Sequence, residues 1–89
     1  MEITYFRWNN WNIEHIDKHH ITPEEIESVA FDNEPLIIRG RNESRLMYGK
    51  TPRGRYILIV YLLQKGEAYV ISSRDMSQRE ISWYKRRGK

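Results

Sequence analysis

An unbroken apolar run near the middle of the chain limits the possible folds more than any other feature. The run YILIVYLL spans Tyr56 to Leu63, follows the turn sequence TPRG and is soon followed by KG. It is far too short for a membrane-spanning helix, which needs about 20 apolar residues. Its β-branched and aromatic residues favour a strand. Because this strand is apolar on both faces, the sequence predicts that it is central in a sheet and buried from both sides.

Four further strands and three helices are predicted around this strand. The strands are EITYFRW, LIIRGR, SRLMYGK and EAYVISSR, and the helices lie in NNWNIEHIDKHH, in ITPEEIESVAFDN and from Met76 to Arg87. In the second helix, Thr22 is expected as the N-cap, with Pro23 next and Glu25 completing a capping box. This order predicts one α+β domain, residues 1–89, with an antiparallel curved sheet, two N-terminal helices on one face and a C-terminal helix.

The predicted sheet leaves a face and an edge without an assigned cover. We expect the helices to cover one face of the sheet, so that the other face is polar or covered by a partner. The apolar segment LIIRG, Leu36 to Gly40, is expected at an exposed edge. Such an edge can pair with a strand of a partner protein or of another copy of the chain.

The charge of the chain is divided unevenly along its length. Residues 1–34 carry two basic and eight acidic side chains, whereas residues 35–89 carry thirteen basic and four acidic ones. The basic part favours a polyanion or an acidic protein as partner, although chance clustering on a solvated surface would give the same composition. The absence of cysteine excludes thiolate chemistry. Since no signal peptide or membrane span is evident in the sequence, a cytoplasmic location is expected.

Arginines stand at the ends of the predicted central strands. Arg55 opens the strand GRYILIVYLL, and Arg74 closes the strand EAYVISSR. If KG forms the tight turn between these strands, the two arginines are neighbours at one end of the sheet and can share a face. Unpaired guanidinium groups repel each other unless an anion lies between them, and their planar forks match phosphate oxygens. Arg45 belongs to the adjoining strand, and its face depends on whether the TPRG turn adds a bulge.

Several other side chains allow two interpretations each. Glu43 and Arg45 would share a face on a strand, either as a general base beside an electrostatic stabiliser or as an exposed ion pair. His15 and His19 have the spacing of some zinc ligands, but a third ligand is not evident and no metal site is predicted. His19 suits either proton transfer near pH 7 or a capping role. The tryptophans either stack on nucleobases or, as we favour, close the small core; they are Trp8, Trp11 and Trp83.

The chain resembles the BrnT toxin family along nearly its whole length. FRWNNWNIEHIDKHHITPEEIESVAFD is similar to the opening of that family, NESRLMYGKTPRGRYILIVY to its middle and VISSRDMSQREISWY to its end. The chain differs from the family pattern at Asn9, where Asp is usual, at His20, where Gly is usual, and at Ser73, where Ala is usual. The residue at His20 requires another way to stop the helix, which Ile21 to Pro23 can provide.

The resemblance implies a RelE-like fold and a metal-independent endoribonuclease toxin of a bacterial type II toxin–antitoxin system. In such toxins the ribose 2′-OH attacks the adjacent phosphate. Glu43 is implied as the base or as the residue that orients it, and Lys18 and His19 as sources of the acid. The phosphate and its transition-state charge are implied to be held by Arg45, Arg55 and Arg74. Further RNA contacts are expected from Arg39, Arg41, Arg53 and Arg79.

The resemblance also implies the partners of the chain. It implies a cognate antitoxin, similar to BrnA and carrying a DNA-binding part, which covers the arginine face, forms a hetero-oligomer with the toxin and represses the operon. It implies no cofactor. The alternative, which the uneven charge supports equally well, is a non-catalytic module that binds RNA or an acidic peptide with the same basic face.

Overall fold

A computed structural model describes residues 2–32 and 34–88 of the chain. The predicted helices and strands are all present, with bounds that differ by a few residues, and the predicted end of the second helix at Asn33 lies outside the described residues. No helix in these two ranges is long and apolar enough to span a bilayer. In chain order the elements are β1 (Tyr5–Arg7), α1 (Asn10–Asp17), α2 (Pro23–Asp32), β2 (Leu36–Arg39), a 3-10 turn (Arg41–Glu43), β3 (Arg45–Lys50), β4 (Tyr56–Gln64), β5 (Glu67–Asp75) and α3 (Gln78–Gly88).

The five strands form one sheet in the order β1-β5-β4-β3-β2. Strands β2 to β5 make the predicted antiparallel meander, and β1 pairs in parallel with β5. The sheet is therefore mixed, because a parallel neighbour needs a long connection and the intervening helices and meander supply one. The α+β fold class is confirmed, and the apolar strand β4 lies in the middle of the sheet as its sequence predicts.

Helices cover both faces of the sheet. The larger core lies between α1, α2 and the sheet face that carries Ile57, Ile59 and Tyr61. On the opposite face, Tyr48 and Leu58 form a second apolar cluster with residues of α3. The expectation that the helices cover only one face is wrong, because the second apolar side of β4 also needs a cover and α3 provides it.

Two of the three tryptophans have the favoured core role. Trp8 packs against the larger core, and its indole N–H donates to the Glu27 carboxylate at 2.8 Å. Trp83 holds α3 to the sheet through an edge-on contact with Tyr48. Trp11 departs from the expectation, since 52% of its surface is exposed.

Helix α1 is terminated at His20, the position where glycine is usual in the family pattern. His20 donates its N–H to the carbonyl of Asp17 at 2.9 Å, and Ile21 donates to the carbonyl of Ile16 at 3.3 Å. The backbone of His20 has a φ of 58°, so His20 takes the left-handed conformation that usually favours glycine at this place. Helix α1 therefore ends at His20, before the segment Ile21 to Pro23 that was predicted to end it.

The capping box predicted for α2 is confirmed, and α1 begins with a similar one. Thr22 and Glu25 form the predicted box, in which the Thr22 hydroxyl accepts from the Glu25 N–H at 3.2 Å and the Glu25 carboxylate accepts from the Thr22 N–H at 3.0 Å. Asn9 caps α1 in the same reciprocal way with Asn12. Strand β2 is a free edge, as predicted; its exposed apolar residues are Ile37 and Ile38.

Candidate functional site

The register between β4 and β5 places Arg55 and Arg74 on opposite faces of the sheet. Leu58 pairs with Arg74, and Ile57 pairs with Asp75. Arg74 therefore projects on the face covered by α3, whereas Arg55 binds Asp75 on the face covered by α1 and α2. The predicted shared face is wrong, because this hairpin contains a β-bulge and its register sets Leu58, rather than Arg55, opposite Arg74.

The Arg55 guanidinium fastens the end of α1 to the end of the sheet. Nε and Nη2 donate to the Asp75 carboxylate at 2.6 and 3.3 Å, and Nη1 and Nη2 donate to the carbonyls of His20 and His19 at 2.7 and 2.5 Å. These bonds to Asp75 raise the pKa of Arg55 and lower the pKa of Asp75. Because the fold engages nearly all of its five donor hydrogens, Arg55 has little capacity left for a phosphate.

The Arg74 guanidinium is held on one edge and open on the other. Nη1 donates to the main-chain oxygen of Asp75 at 3.0 Å and to Glu80 Oε1 at 2.9 Å, while Nη2 donates to Glu80 Oε2 at 3.0 Å. Nε and the second hydrogen of Nη2 form the lateral fork of the group. Among residues 2–32 and 34–88 no acceptor binds this fork, and the side chain is 44% exposed. Arg74 thus presents a complete bidentate donor to solvent.

Glu80 fixes both Arg74 and the start of α3. Its Oε1 accepts from the Ser77 N–H at 2.8 Å, and the Ser77 hydroxyl accepts from the Glu80 N–H at 3.2 Å, which makes a capping box. The hydrogen bonds from Arg74 lower the pKa of Glu80, and the same bonds raise the pKa of Arg74. Sequence reasoning missed this role, although the Ser-x-x-Glu pattern that starts at Ser77 is the signal that predicts it.

Aromatic rings and lysines lie at the same end of the α3 face. The Nζ atoms of Lys50 and Lys85 are 5.5 and 5.4 Å from the ring centroid of Tyr56, and the Tyr84 ring meets that of Tyr56 at 5.9 Å. Burial raises the pKa of Tyr84, so its hydroxyl keeps its proton at neutral pH. Sequence analysis assigned no role to these residues; basic side chains at the ends of β3 and α3 were the available signal.

A second group of predicted residues lies at the opposite end of the sheet. Arg39 and Arg45 are paired across β2 and β3, and they line a cavity of about 360 Å³ together with Glu43. Glu43 lies in the 3-10 turn with a φ of 67°, outside any strand. Arg45 donates to Glu2 at 3.2 Å, so the predicted strand pairing of Glu43 and Arg45 is wrong. Arg45 pairs with Tyr61, three residues or about 10 Å along β4 from Leu58, which pairs with Arg74, and the two arginines project on opposite faces of the sheet.

The remaining predicted residues are spread over the surface. His19 lies at the Arg55 end, where its carbonyl accepts from Arg55, and Lys18 is the exposed C-cap of α1. Among the described residues, no three His, Asp or Glu side chains form a potential metal site. The other predicted RNA contacts are exposed and lie on separate elements; they are Arg41 in the 3-10 turn, Arg53 in the turn after β3 and Arg79 on α3.

Comparison with known protein families gives one match that covers most of the chain. The model of a family described as the ribonuclease toxin BrnT of type II toxin–antitoxin systems matches residues 8–80. No curated protein and no solved structure is significantly similar to the chain. A ribonuclease toxin of a type II system acts on RNA and has an antitoxin protein as its partner. Because the match covers most of the 89 residues, the chain belongs to the BrnT family of ribonuclease toxins.

Proposed function

We propose that this toxin cleaves RNA without a metal ion and that the open fork of Arg74 holds the reacting phosphate. The observation that carries the proposal is that Glu80 and the Asp75 carbonyl fix one edge of the guanidinium and leave the other edge free. A planar fork matches two phosphate oxygens. A donor that is already oriented stabilises developing charge without reorganising during the reaction.

The reaction is a transesterification within the RNA strand. The ribose 2′-oxygen attacks the adjacent phosphorus atom, its proton passes to solvent water, and the bond from phosphorus to the 5′-oxygen of the next nucleotide breaks. An acid protonates that 5′-oxygen, which leaves a 2′,3′-cyclic phosphate and a 5′-hydroxyl end. The phosphorane between these states gains negative charge, and Arg74 offsets it.

Lys18 and His19 are proposed as sources of the proton for the leaving oxygen. Both follow α1 at the end of the sheet where Arg55 anchors the His19 carbonyl. An imidazole exchanges protons near neutral pH. Arg55 then acts by positioning this turn, which its nearly saturated guanidinium favours over direct phosphate binding.

The opposite end of the sheet suits a more distant part of the RNA. Arg39 and Arg45 line one cavity with Glu43, so the two arginines can hold a phosphate while the carboxylate accepts from a ribose hydroxyl. Its separation from Arg74 favours this binding role for Glu43 over proton abstraction at the reacting phosphate. Exposed basic residues add sequence-independent affinity; those proposed are Arg41, Arg53, Arg79 and Lys85.

Metal independence and antitoxin control are parts of the same proposal. The donors at this end of the α3 face include the Arg74 guanidinium, the Lys85 ammonium and the Tyr84 phenol, and such groups stabilise a phosphorane by charge and hydrogen bonding. An antitoxin similar to BrnA, with a DNA-binding part, is proposed to inhibit cleavage by covering this basic surface. Complementary charge would drive that association.

The test compares RNA cleavage by the parent and by variants at Arg74. Arg74→Ala should lower kcat by about 10²–10³-fold, since one preorganised donor group is lost, and Arg74→Lys should recover only part of it because an ammonium group has no fork. Lys65→Gln, at the turn between β4 and β5, is the control that removes one positive charge at the other end of the sheet. EDTA should leave parental cleavage unchanged.

Three outcomes would contradict this mechanism. Cleavage that requires an added divalent metal would contradict the proposed metal independence. An Arg74→Ala variant with the parental kcat would contradict the role proposed for the Arg74 fork. Binding of RNA by the parent with no cleavage product at high protein concentration would favour the non-catalytic binding module instead. Circular dichroism of each variant shows whether a loss of activity comes from unfolding.

A further inference from the structure

An exposed series of stacked planar groups lies beside β5, away from the groups assigned above. The Trp11 ring stacks on His15 at 4.6 Å with 13° between their planes, and on Tyr69 at 6.3 Å with 18°. The Arg7 guanidinium carbon lies 4.3 Å from the centroid of Tyr69. Trp11 remains 52% exposed. A chain that packs Trp8 and Trp83 against its cores thus leaves its third tryptophan at the surface, in contact with two further rings.

Tyr69, the member of this series that belongs to β5, shares one face of that strand with Arg74. Tyr69 pairs with Leu62, and Arg74 pairs with Leu58, so both project on the α3 side of the sheet. The cluster under α3 consists of residues from β2, β3, β4 and α3 and the segment that precedes α3. It includes none from β1 or β5, and Leu62 is 41% exposed. A partly exposed strip about 16 Å long therefore runs along β5 from Tyr69 to Arg74.

We propose that Trp11 and Tyr69 form a subsite for an unpaired nucleobase of the RNA strand whose phosphate is held by Arg74. The proposal rests on the proposed function and adds a substrate class: single-stranded RNA that extends several nucleotides beyond the cleaved bond. Aromatic faces accept any base, because every base has a π face. The Arg7 guanidinium adds a positive charge beside the rings.

Hydrogen bonds keep the rings and the arginine of this subsite in place. The Glu67 carboxylate accepts from the Tyr5 hydroxyl at 2.8 Å and from Arg7 Nε at 2.9 Å. The Tyr69 hydroxyl shares hydrogen bonds with the side chain of Asn9. Because Arg7 neutralises the Glu67 carboxylate, the strip does not present an unpaired negative charge from Glu67 to the RNA.

Partly exposed aromatic rings at one end of the strip and the open fork of Arg74 at the other favour RNA over a protein partner. Single strands are recognised by stacking of unstacked bases on aromatic rings and on guanidinium planes, combined with contacts to phosphates. The strip provides both within one strand face, with rings at one end and the Arg74 fork at the other. A protein hot spot instead places its anchor in a fully desolvated pocket, whereas half of Trp11 faces solvent.

The test measures binding of short RNA that cannot be cleaved. Fluorescein-labelled uridine oligomers, 2′-O-methylated throughout, are titrated by anisotropy as a trimer and as a hexamer. Trp11→Ala should weaken binding of the hexamer by about 5- to 150-fold and leave the trimer, which spans only the Arg74 end, nearly unchanged. Trp11→Phe should restore most of the loss. Ile13→Ala, an exposed residue on the same helix, is the matched control and should bind as the parent does.

Abasic substitution in the hexamer tests the same subsite without changing the protein. One abasic position should weaken binding to the parent and add no further loss in Trp11→Ala. Equal affinity of all abasic hexamers for the parent, or parental hexamer affinity in Trp11→Ala, would overturn the subsite. If Trp11→Ala lost antitoxin binding and kept its affinity for RNA, the surface would be a binding site for the protein partner instead. Parental cleavage measured in parallel separates these failures from failure of the proposed function.

Discussion

Arg55 and Arg74 carry the same five donor hydrogens, and they differ in how many of those donors the fold has engaged. Arg55 binds Asp75 and two main-chain carbonyls of the turn after α1. Arg74 keeps its lateral fork open while Glu80 holds the other edge. The first arginine therefore stabilises the end of a helix, and the second is the one suited to an external phosphate.

At this scale, Glu80 is expected to act as a positioning residue for Arg74. Glu80→Ala should lower kcat by about 10- to 100-fold, because the fork loses its orientation, with a smaller change in KM. Glu80→Gln should recover much of kcat, since an amide oxygen can still accept from Arg74 and from the Ser77 N–H. Single-turnover cleavage of RNA measures the chemical step.

Ser77→Ala separates the two roles of Glu80. This variant removes the hydroxyl that caps α3 and leaves the bonds between Arg74 and Glu80 unchanged. It should cost about 1 kcal/mol of stability and retain nearly the parental kcat. If Ser77→Ala lowered kcat as much as Glu80→Ala, the effect of Glu80 would come from the helix end rather than from the fork.

The positions of the arginines are given by the sequence, but the carboxylate that pairs with each arginine cannot be predicted from it. Arg55 and Arg74 can be placed at one end of the sheet from the turn KG alone. Their faces depend on the register of β4 and β5, and the bulge in that hairpin changes the register. The ion-pair partner of Arg45 is Glu2, which lies 43 residues away in the sequence. No local sequence pattern predicts a contact between residues so far apart.

At the scale of elements, the close packing of α2 on β3 depends on Gly49. A Cβ atom on Gly49 would lie 2.3 Å from Cγ1 of Val29, which is far inside van der Waals contact. Gly49→Ala should therefore destabilise the protein by about 1–3 kcal/mol, as measured by urea unfolding. Because α2 forms part of the larger core, the loss should appear in stability rather than in the chemistry at Arg74.

A double variant shows whether this loss comes from the contact itself. Val29→Ala leaves a small cavity and destabilises the protein on its own. In Gly49→Ala with Val29→Ala the new methyl group can enter that space, so the double variant should lose less stability than the sum of the two single changes. Additive losses would show that the cost of Gly49→Ala does not come from the contact with Val29.

The predicted elements were correct where a local pattern marks them, whereas the face of the sheet that α3 covers was not predicted. Capping of α2 by Thr22 and Glu25 can be predicted from a short local pattern, namely an N-cap residue, a proline and an acidic residue. The side of the sheet that α3 covers is different, because it depends on which face of β4 remains after α1 and α2 have packed. The face that α3 covers is therefore set by the tertiary structure, and it cannot be predicted from the apolar pattern of α3 alone.

At the scale of the whole molecule, β5 is held to its neighbours by ion pairs at both ends. Glu67 at its start binds Arg7 of β1, Asp75 at its end binds Arg55, and Arg74 binds Glu80 of α3. Exposed pairs contribute little individually. Together they join β1, the turn after α1 and α3 to one strand, so the candidate site and its ribonucleobase subsite share a support.

This arrangement predicts a loss of stability in acid. Hydrogen bonds from Tyr5 and Arg7, from Arg55 and from Arg74 lower the pKa values of Glu67, Asp75 and Glu80 respectively. A carboxyl group whose pKa is lowered by folding stabilises the native state above its ordinary pKa, near 4.5 for Glu and 3.8 for Asp. That stabilisation disappears as the pH falls through the lowered value.

The free energy of unfolding in urea should therefore be steady from pH 7 to about 5 and should fall steadily between about pH 4.5 and pH 3. Glu80→Gln should be less stable than the parent at pH 7 but should lose less on acidification, because position 80 no longer takes up a proton on unfolding. Glu14→Gln, an exposed position on α1, is the matched control and should keep the parental slope. A parent whose stability is level down to pH 3, or a Glu80→Gln variant with the parental slope, would show that the ion pairs around β5 do not support the native state. Since protonation of Glu80 also releases the held edge of Arg74, cleavage should decline over the same range before the fold is lost.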